Sequence, residues 1–181
     1  MENTLGSIQG GIDKGADYAE IDILLSKDNV PMVIHDSNLQ RLSGENVNVY
    51  DLTAKELGEL TLFQNDAEGK ISTLEEVIRA TKGQIKLLIE LKTHGHETAD
   101  VAAETAKVVE AQNDEKNCMF MSLDYSLVEQ LKTLHPEYTV GYCVYGNLGK
   151  ADTRRLVNMD IDFLTVEENM VTKSLISKAR K

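Results

Sequence analysis

The chain is poor in the residues on which several classes of protein depend. Its 181 residues contain no tryptophan, two prolines and two cysteines, and 19 lysines and arginines stand against 30 aspartates and glutamates. The net charge of −11 argues against nucleic-acid binding through a basic surface. No apolar run has the length of a membrane-spanning helix, and no stretch resembles a signal peptide. Cys118 and Cys143 lack the spacing of a metal site, so we expect two buried thiols.

Glycine-rich phosphate loops are also absent after the predicted strands, which argues against a nucleotide-binding doubly wound sheet. The chain instead alternates strands and helices with short connections, a pattern typical of a parallel α/β fold. Strands are predicted over 85–92, 117–122, 139–145 and 161–166, with a hairpin over 18–35. Helices are predicted over 3–14, 54–60, 97–112, 125–134, 150–158 and 170–180, and another runs from a cap at Ser72 or Thr73 to Thr81.

Two of the predicted strands carry charged residues on one face and apolar residues on the other. Glu20 and Asp22 share a face of the first strand, and Glu90 and Lys92 share a face of the strand over 85–92. Carboxylates behind an apolar face are costly unless they meet a cation. The pattern therefore predicts a divalent cation and its bound anion, and oxygen ligands favour Ca²⁺, Mg²⁺ or Mn²⁺ over zinc.

His35 joins this group through the geometry of the hairpin. A two-residue loop at Asp28-Asn29 places Asp22 directly opposite His35 and on the same face. The alternative is a surface histidine at the end of a strand.

Acids at the carboxyl ends of two successive strands are typical of a (β/α) barrel, whose chemistry lies at that face. A complete barrel has eight strands and about 250 residues. This chain provides about five parallel strands and a hairpin arm, so the predicted fold is a partial TIM barrel, a single domain over 1–181.

Several strings together resemble the glycerophosphodiester phosphodiesterase family, and the resemblance runs through essentially the whole chain. They are Glu2-Asn3-Thr4, the run from Gly15 to Asp22, Val33-Ile34-His35-Asp36, Ser72-Thr73-Leu74-Glu75-Glu76 and Glu90-Leu91-Lys92. The stretches 90–97 and 142–149 are most similar to Gram-positive members that carry this domain after a membrane-spanning region. That likeness implies a parent anchored in the membrane outside this chain, with this domain extracytoplasmic or, alternatively, cytoplasmic.

The resemblance implies hydrolysis of glycerophosphodiesters to glycerol 3-phosphate and an alcohol with one divalent cation, Ca²⁺ or Mg²⁺ and possibly Mn²⁺. It implies that Glu20, Asp22 and Glu90 bind the metal, that His35 is a catalytic histidine and that Lys92 contacts the phosphate.

Further residues are open to two interpretations. Glu2 matches a family glutamate near the active-site mouth, or is only an acid at a helix N-terminus. Tyr145 lines the alcohol pocket or packs in the fold. We expect Arg41 to pair with an acid near the hairpin, and His94 and His96 to be solvated loop histidines.

Two departures from the family pattern concern the ends of the chain. Members begin with a strand that ends in His-Arg-Gly and continue to a strand that contains tryptophan, whereas this chain runs from Met1 to Lys181 without either. We therefore expect a fragment without the first, seventh and eighth strands and with negligible activity on its own. Tyr18–Ser26 and Ile161–Val166 then become open edges that invite self-association.

Other functions remain open at this point. A barrel phosphodiesterase similar to phosphatidylinositol phospholipase C or to sphingomyelinase D shares the acids and histidines. A non-catalytic module that binds metal or phosphate is a second alternative, and a structural domain, which predicts no metal site, is a third.

Overall fold

A computed structural model describes residues 1–146 and 152–179. The strands are β1 (Tyr18–Leu25), β2 (Pro31–Val33), β3 (Leu62–Gln64), β4 (Ala67–Gly69), β5 (Ser72–Thr73), β6 (Lys86–Leu91), β7 (Cys118–Ser122), β8 (Val140–Val144) and β9 (Phe163–Val166). The helices are α1 (Leu5–Asp13), α2 (Gln40–Ser43), α3 (Ala54–Glu59), α4 (Leu74–Thr81), α5 (Val101–Ala111), α6 (Tyr125–Leu134), α7 (Thr153–Asn158) and α8 (Lys173–Ala179).

Seven strands form one sheet in the order β5-β2-β1-β6-β7-β8-β9. The pairs from β1 through β6, β7 and β8 to β9 are all parallel, whereas β2 is antiparallel to both β1 and β5. The predicted five parallel strands and hairpin arm are therefore confirmed. No helix in the described ranges is long and apolar enough to cross a membrane.

The side chains of β1 and β6 alternate between the two faces of the sheet, and the core accordingly consists of two apolar clusters. Ile21, Ile23 and Leu25 point to the helices and are buried with Leu87 and Ile89 in the larger apolar cluster. Burying each such side chain stabilises the fold by ~1.5–3 kcal/mol. The smaller cluster lies under the hairpin arm on the opposite face of β1, which is also the face that carries the acids. Its buried members are Leu24, Met32, Ile34, Leu39, Leu42, Val49, Leu57, Leu62 and Ile71.

Three threonines begin helices, and one of them is at the cap predicted for Ser72 or Thr73. Thr4, Thr53 and Thr73 each accept a hydrogen bond from the backbone N–H three residues later, and each forms a capping box. The cap of α4 is therefore Thr73.

Some helix boundaries differ from the prediction. Helix α5 begins at Val101 rather than near residue 97, because Asp100 is its N-cap and accepts a hydrogen bond from the backbone N–H of Ala103. The last predicted helix divides into a 3₁₀ turn, Glu168–Met170, and α8. The predicted start of the helix over 150–158 lies outside the described residues.

The hairpin between β1 and β2 has a different register from the one that the sequence predicts. Ile23 pairs with Val33, and Ser26 donates its backbone N–H to Val30. The loop therefore has three residues, and its last, Asn29, takes a left-handed φ of 61°. This shift of one residue places Ile34 opposite Asp22, so the predicted pairing of Asp22 with His35 is wrong.

The prediction of two open sheet edges is confirmed for β9 and is only partly correct for β1. Strand β9 lies at one edge of the described sheet, as expected. Strand β1 is not an edge along 23–25, where β2 pairs with it, so the predicted edge over Tyr18–Ser26 is wrong for its second half. Within the described residues, 18–21 pair only with β6.

We predict that the 181-residue chain self-associates through the edge of β9, and that Thr165→Pro weakens this association. Asp162 donates its backbone N–H to Val140. The alternation of a strand then turns the N–H of Thr165 away from β8, so proline there blocks edge pairing without removing a bond to β8. Sedimentation velocity over a range of concentrations measures the effect, with Thr165→Val as the control. A wild-type chain that stays monomeric throughout would contradict the prediction.

Candidate metal centre and active site

Three carboxylates converge at the junction of β1 and β6. The parallel register pairs Asp22 with Glu90, and Glu20 lies two residues before Asp22 on the same face of β1. One oxygen of each carboxylate lies within 4.8 Å of the others. The strand alternation therefore predicts the convergence of these side chains correctly.

Lys92 is the cation that lies among these acids. Its Nζ atom is 3.1 Å from Asp22 Oδ1 and 3.5 Å from Glu90 Oε1. Glu90 Oε1 is buried and accepts no hydrogen bond from any residue that the structure describes. A single ammonium group thus faces three carboxylates, and one buried oxygen lacks a hydrogen-bond donor.

The excess of negative charge alters the titration of the acids. Although Glu20 is exposed as a whole residue, its carboxyl group points into the cluster. Loss of hydration there, followed by repulsion from Asp22 and Glu90, raises the pKa of Glu20 to about 7. Burial also raises the pKa of Glu90, against the opposing effect of Lys92. A divalent cation bound by oxygen ligands would neutralise this charge, and the donor set fits Ca²⁺, Mg²⁺ or Mn²⁺.

His35 lies beside the acids even though it does not pair with Asp22. The chain leaves β2 after Val33, and the imidazole, 51% exposed, lines the same cavity as Glu20 and Asp22. Its Nδ1 atom is 2.6 Å from Asp36 Oδ1. An ionised carboxylate only accepts hydrogen bonds, so this contact assigns the proton to Nδ1 and leaves Nε2 available to exchange a proton.

Asp36 is itself held by Arg41. The Arg41 Nε atom donates to Asp36 Oδ2 at 2.6 Å, and this hydrogen bond, with a further one from His35, keeps the pKa of Asp36 below its usual value. The guanidinium also forms an ion pair with Glu2. The predicted pairing of Arg41 with an acid near the hairpin is therefore confirmed, and it involves two acids.

Glu2 lines the cavity, and its carboxylate already accepts hydrogen bonds from neighbouring side chains. Besides Arg41, its carboxylate accepts a hydrogen bond from Gln64 Nε2, and its backbone N–H donates to Gln64 Oε1 at 2.8 Å. The bond from Arg41 is the main reason that the pKa of Glu2 is lowered. A direct contact of Glu2 with substrate stays a prediction.

The cavity that Glu20, Asp22, His35 and Arg41 help to line has a volume of about 490 Å³, which suits a small polar ligand. Tyr145 does not line it. This residue follows β8 with 79% of its surface exposed, so its contact with the alcohol group stays a prediction. The residues around the cavity are Glu2, Asn3, Ser7, Ile8, Gly11, Tyr18, Ala19, Glu20, Asp22, His35 and Arg41.

Asn3 is the site residue to which the sequence assigns no role. Its side chain forms two hydrogen bonds with Asp22, 19 residues along the chain. No periodicity or spacing connects the two positions, because the contact depends on where α1 docks against β1.

The structure corrects one expectation about histidines and confirms one about cysteines. His94 is not solvated, since its side chain is 2% exposed and its Nε2 atom lies 3.2 Å from the carbonyl oxygen of Leu25. His96 is exposed, as predicted, and its ring stacks on Tyr50. Cys118 and Cys143 are buried free thiols, also as predicted.

We predict that the stability of the metal-free chain falls as the pH rises from about 4.5 to about 7. The folded pKa of Glu20 exceeds its ordinary value, so the folded state binds this proton more tightly than the unfolded state and loses that advantage as the proton leaves. Thermal unfolding in EDTA across this range measures the effect.

Glu20→Gln should flatten this dependence of Tm on pH, because glutamine does not titrate. Glu59→Gln, which removes an exposed acid on α3, is the matched control and should leave the wild-type slope. Identical slopes for wild type and Glu20→Gln would show that Glu20 titrates normally.

Comparisons with known proteins agree with this geometry. The model of the glycerophosphoryl diester phosphodiesterase family matches residues 1–180. Among curated relatives, YhdW of Bacillus subtilis (strain 168) is 28% identical over 155 residues, which are 82% of this chain and 62% of YhdW. Lysophospholipase D GDPD1 of Homo sapiens is 31% identical over 140 residues, which are 72% of this chain and 43% of that protein. The chain therefore spans less than two thirds of either relative.

A solved structure gives the same result for the fold. A phosphodiesterase of Oleispira antarctica, in complex with the product sn-glycerol-3-phosphate, superposes with a TM-score of 0.87 at 26% identity. The superposition covers 99% of this chain and 74% of that one. The family model spans nearly every residue, the three acids of its pattern cluster with Lys92, and two of those acids line one cavity with His35, so this chain belongs to the glycerophosphoryl diester phosphodiesterase family.

Proposed function

We propose that the protein containing this chain hydrolyses glycerophosphodiesters to glycerol 3-phosphate and an alcohol with the help of one divalent cation. The observation that carries the proposal is a cluster of three carboxylates and Lys92, of which Glu20 and Asp22 line one cavity together with His35, the partner of Asp36. Phosphodiester cleavage needs neutralisation of the phosphoryl oxygens and a group that moves a proton. The site contains residues of both kinds.

Glu20, Asp22 and Glu90 are the residues that would hold the cation, which we propose is Ca²⁺, Mg²⁺ or Mn²⁺. A bound divalent cation supplies Lewis-acid stabilisation of phosphoryl oxygens. The protein's part is to present oxygen ligands from two adjacent strands whose backbones are fixed in parallel register. The buried Glu90 Oε1, which accepts no hydrogen bond within the described residues, supports the fit.

Lys92 supplies the second positive charge of the site. Its side chain is 20% exposed, so the ammonium group lies near the acids and still borders solvent. Held by Asp22 and Glu90, it is placed beside any anion that binds the same cation. There it stabilises negative charge on phosphoryl oxygens by a charge-assisted hydrogen bond.

His35 is the proton-transfer residue of the proposal. Within the described ranges it is the one histidine that lines the cavity, since His94 is buried against Leu25 and His135 caps the end of α6. Asp36 fixes the Nδ1–H tautomer, while Nε2 gives or takes the proton.

We predict that His35→Ala lowers the kcat/KM for release of glycerol 3-phosphate by about 10²–10⁴-fold, the usual contribution of a general acid or base. The assay uses the whole protein with glycerophosphocholine or glycerophosphoglycerol as the substrate. His96→Ala, which removes an exposed histidine outside the cavity lining, should retain wild-type turnover. Full activity in His35→Ala would remove His35 from the mechanism.

We also predict that Glu20→Gln abolishes the binding of Ca²⁺, Mg²⁺ and Mn²⁺ that calorimetry detects in the wild type. The substitution keeps the shape of the side chain and removes the charge that the cation neutralises. Activity should disappear in EDTA and return when one of these ions is added. Glu59→Gln is again the control, and cation binding that survives in Glu20→Gln at wild-type affinity would place the ion elsewhere.

A further inference from the structure

We propose that Asn3 is a positioning residue for the cation centre, because it holds the Asp22 carboxylate in the orientation that a cation requires. This inference rests on the cation centre proposed above. It adds a residue that touches neither cation nor phosphate in the proposed function and acts through Asp22 alone.

The contact between the two residues is a buried fork of two hydrogen bonds. Asn3 Nδ2 donates to Asp22 Oδ2 at 2.8 Å, and the backbone N–H of Asp22 donates to Asn3 Oδ1 at 2.9 Å. Asn3 is 9% exposed and Asp22 is 4% exposed. Both ends of the asparagine amide are therefore used, one on the backbone of Asp22 and one on its carboxylate, which orients the amide unambiguously.

The fork and Lys92 together restrain both oxygens of Asp22. Asn3 holds Oδ2, while Lys92 Nζ lies 3.1 Å from Oδ1. With a donor on each oxygen, the carboxylate cannot rotate freely about its Cβ–Cγ bond. Each oxygen has two lone pairs and uses one in these contacts, so the other remains for a cation. Orientation of a ligand by an outer hydrogen bond is a general way to raise metal affinity.

The backbone at Asn3 is consistent with this role. Its φ of 50° lies in the left-handed region, which asparagine tolerates better than most residues other than glycine. The next residue, Thr4, is the N-cap of α1, so the left-handed turn comes directly before the helix starts. On the other side, Glu2 is held by Arg41 and Gln64. The amide is thus presented to β1 from a segment that is fastened on both sides.

A merely structural role predicts a different outcome. If the fork only ties α1 to β1, its loss lowers stability and leaves the cation affinity of the folded protein unchanged. A positioning role predicts a loss of affinity in molecules that remain folded. Cation affinity, measured below the unfolding temperature, therefore separates the two roles.

The experiment measures Mn²⁺ and Ca²⁺ affinity by calorimetry in the full chain and in Asn3→Gly. Glycine accepts the left-handed backbone and removes both hydrogen bonds of the fork. Asn113→Gly is the matched control, since Asn113 also has a left-handed φ, 51°, but is exposed and far along the chain after α5. Circular dichroism establishes that each variant is folded.

We expect Asn3→Gly to weaken cation binding by about 10–100-fold, the usual effect of removing a residue that orients a metal ligand. Asn113→Gly should keep the wild-type affinity. Wild-type affinity in folded Asn3→Gly would overturn the role of Asn3, while binding by the wild type and its loss in Glu20→Gln would leave the cation centre intact. No binding by the wild type would overturn the centre and this inference together.

If Asn3→Gly does not fold, the wild-type chain still decides the question. The side-chain amide resonances of Asn3 should shift as the cation binds to Asp22, with the same dissociation constant that calorimetry gives. Amide resonances of Asn3 that do not move while the cation saturates the protein would overturn the inference.

Discussion

Three carboxylates share a small volume with one ammonium group, and the rest of the site is arranged around this excess of negative charge. Their proximity follows from the parallel register that sets Asp22 of β1 beside Glu90 of β6. The opposite faces of the same strands are buried against helices, so the acids cannot turn away without exposing apolar side chains. Burial and repulsion raise the pKa of Glu20 and of Glu90, and a divalent cation would offset the repulsion.

The three acids and the His35–Asp36 pair lie on different parts of the chain and are linked through its first residues. The acids belong to rigid strands, whereas His35 and Asp36 follow the end of β2 in irregular structure. Glu2 reaches the histidine–aspartate pair through Arg41, and its neighbour Asn3 reaches Asp22 directly. Two adjacent residues therefore link the carboxylate cluster to the His35–Asp36 pair, which gives the short segment before α1 a greater role than its length suggests.

The sequence predicts those features that depend on local periodicity. Alternation of side chains within two strands is sufficient to bring Glu20, Asp22 and Glu90 together, and the succession of strands and helices along the chain predicts the five parallel strands. It does not predict the hairpin register, because that depends on the left-handed backbone of Asn29. The burial of His94 depends on a carbonyl 69 residues away, and the fork between Asn3 and Asp22 on the docking of α1, so no local pattern signals either contact. The β3–β4 hairpin is too short for its alternation to be recognised.

A crystal structure of the whole protein grown with Ca²⁺ tests the central claim most directly. The account predicts one ion bound by at least one oxygen of each of Glu20, Asp22 and Glu90, at about 2.3–2.6 Å. It also predicts that Asn3 keeps its hydrogen bond to Asp22 Oδ2 beside the ion. Carboxylates that bind no ion at millimolar Ca²⁺, or an ion bound at another set of residues, would contradict the account.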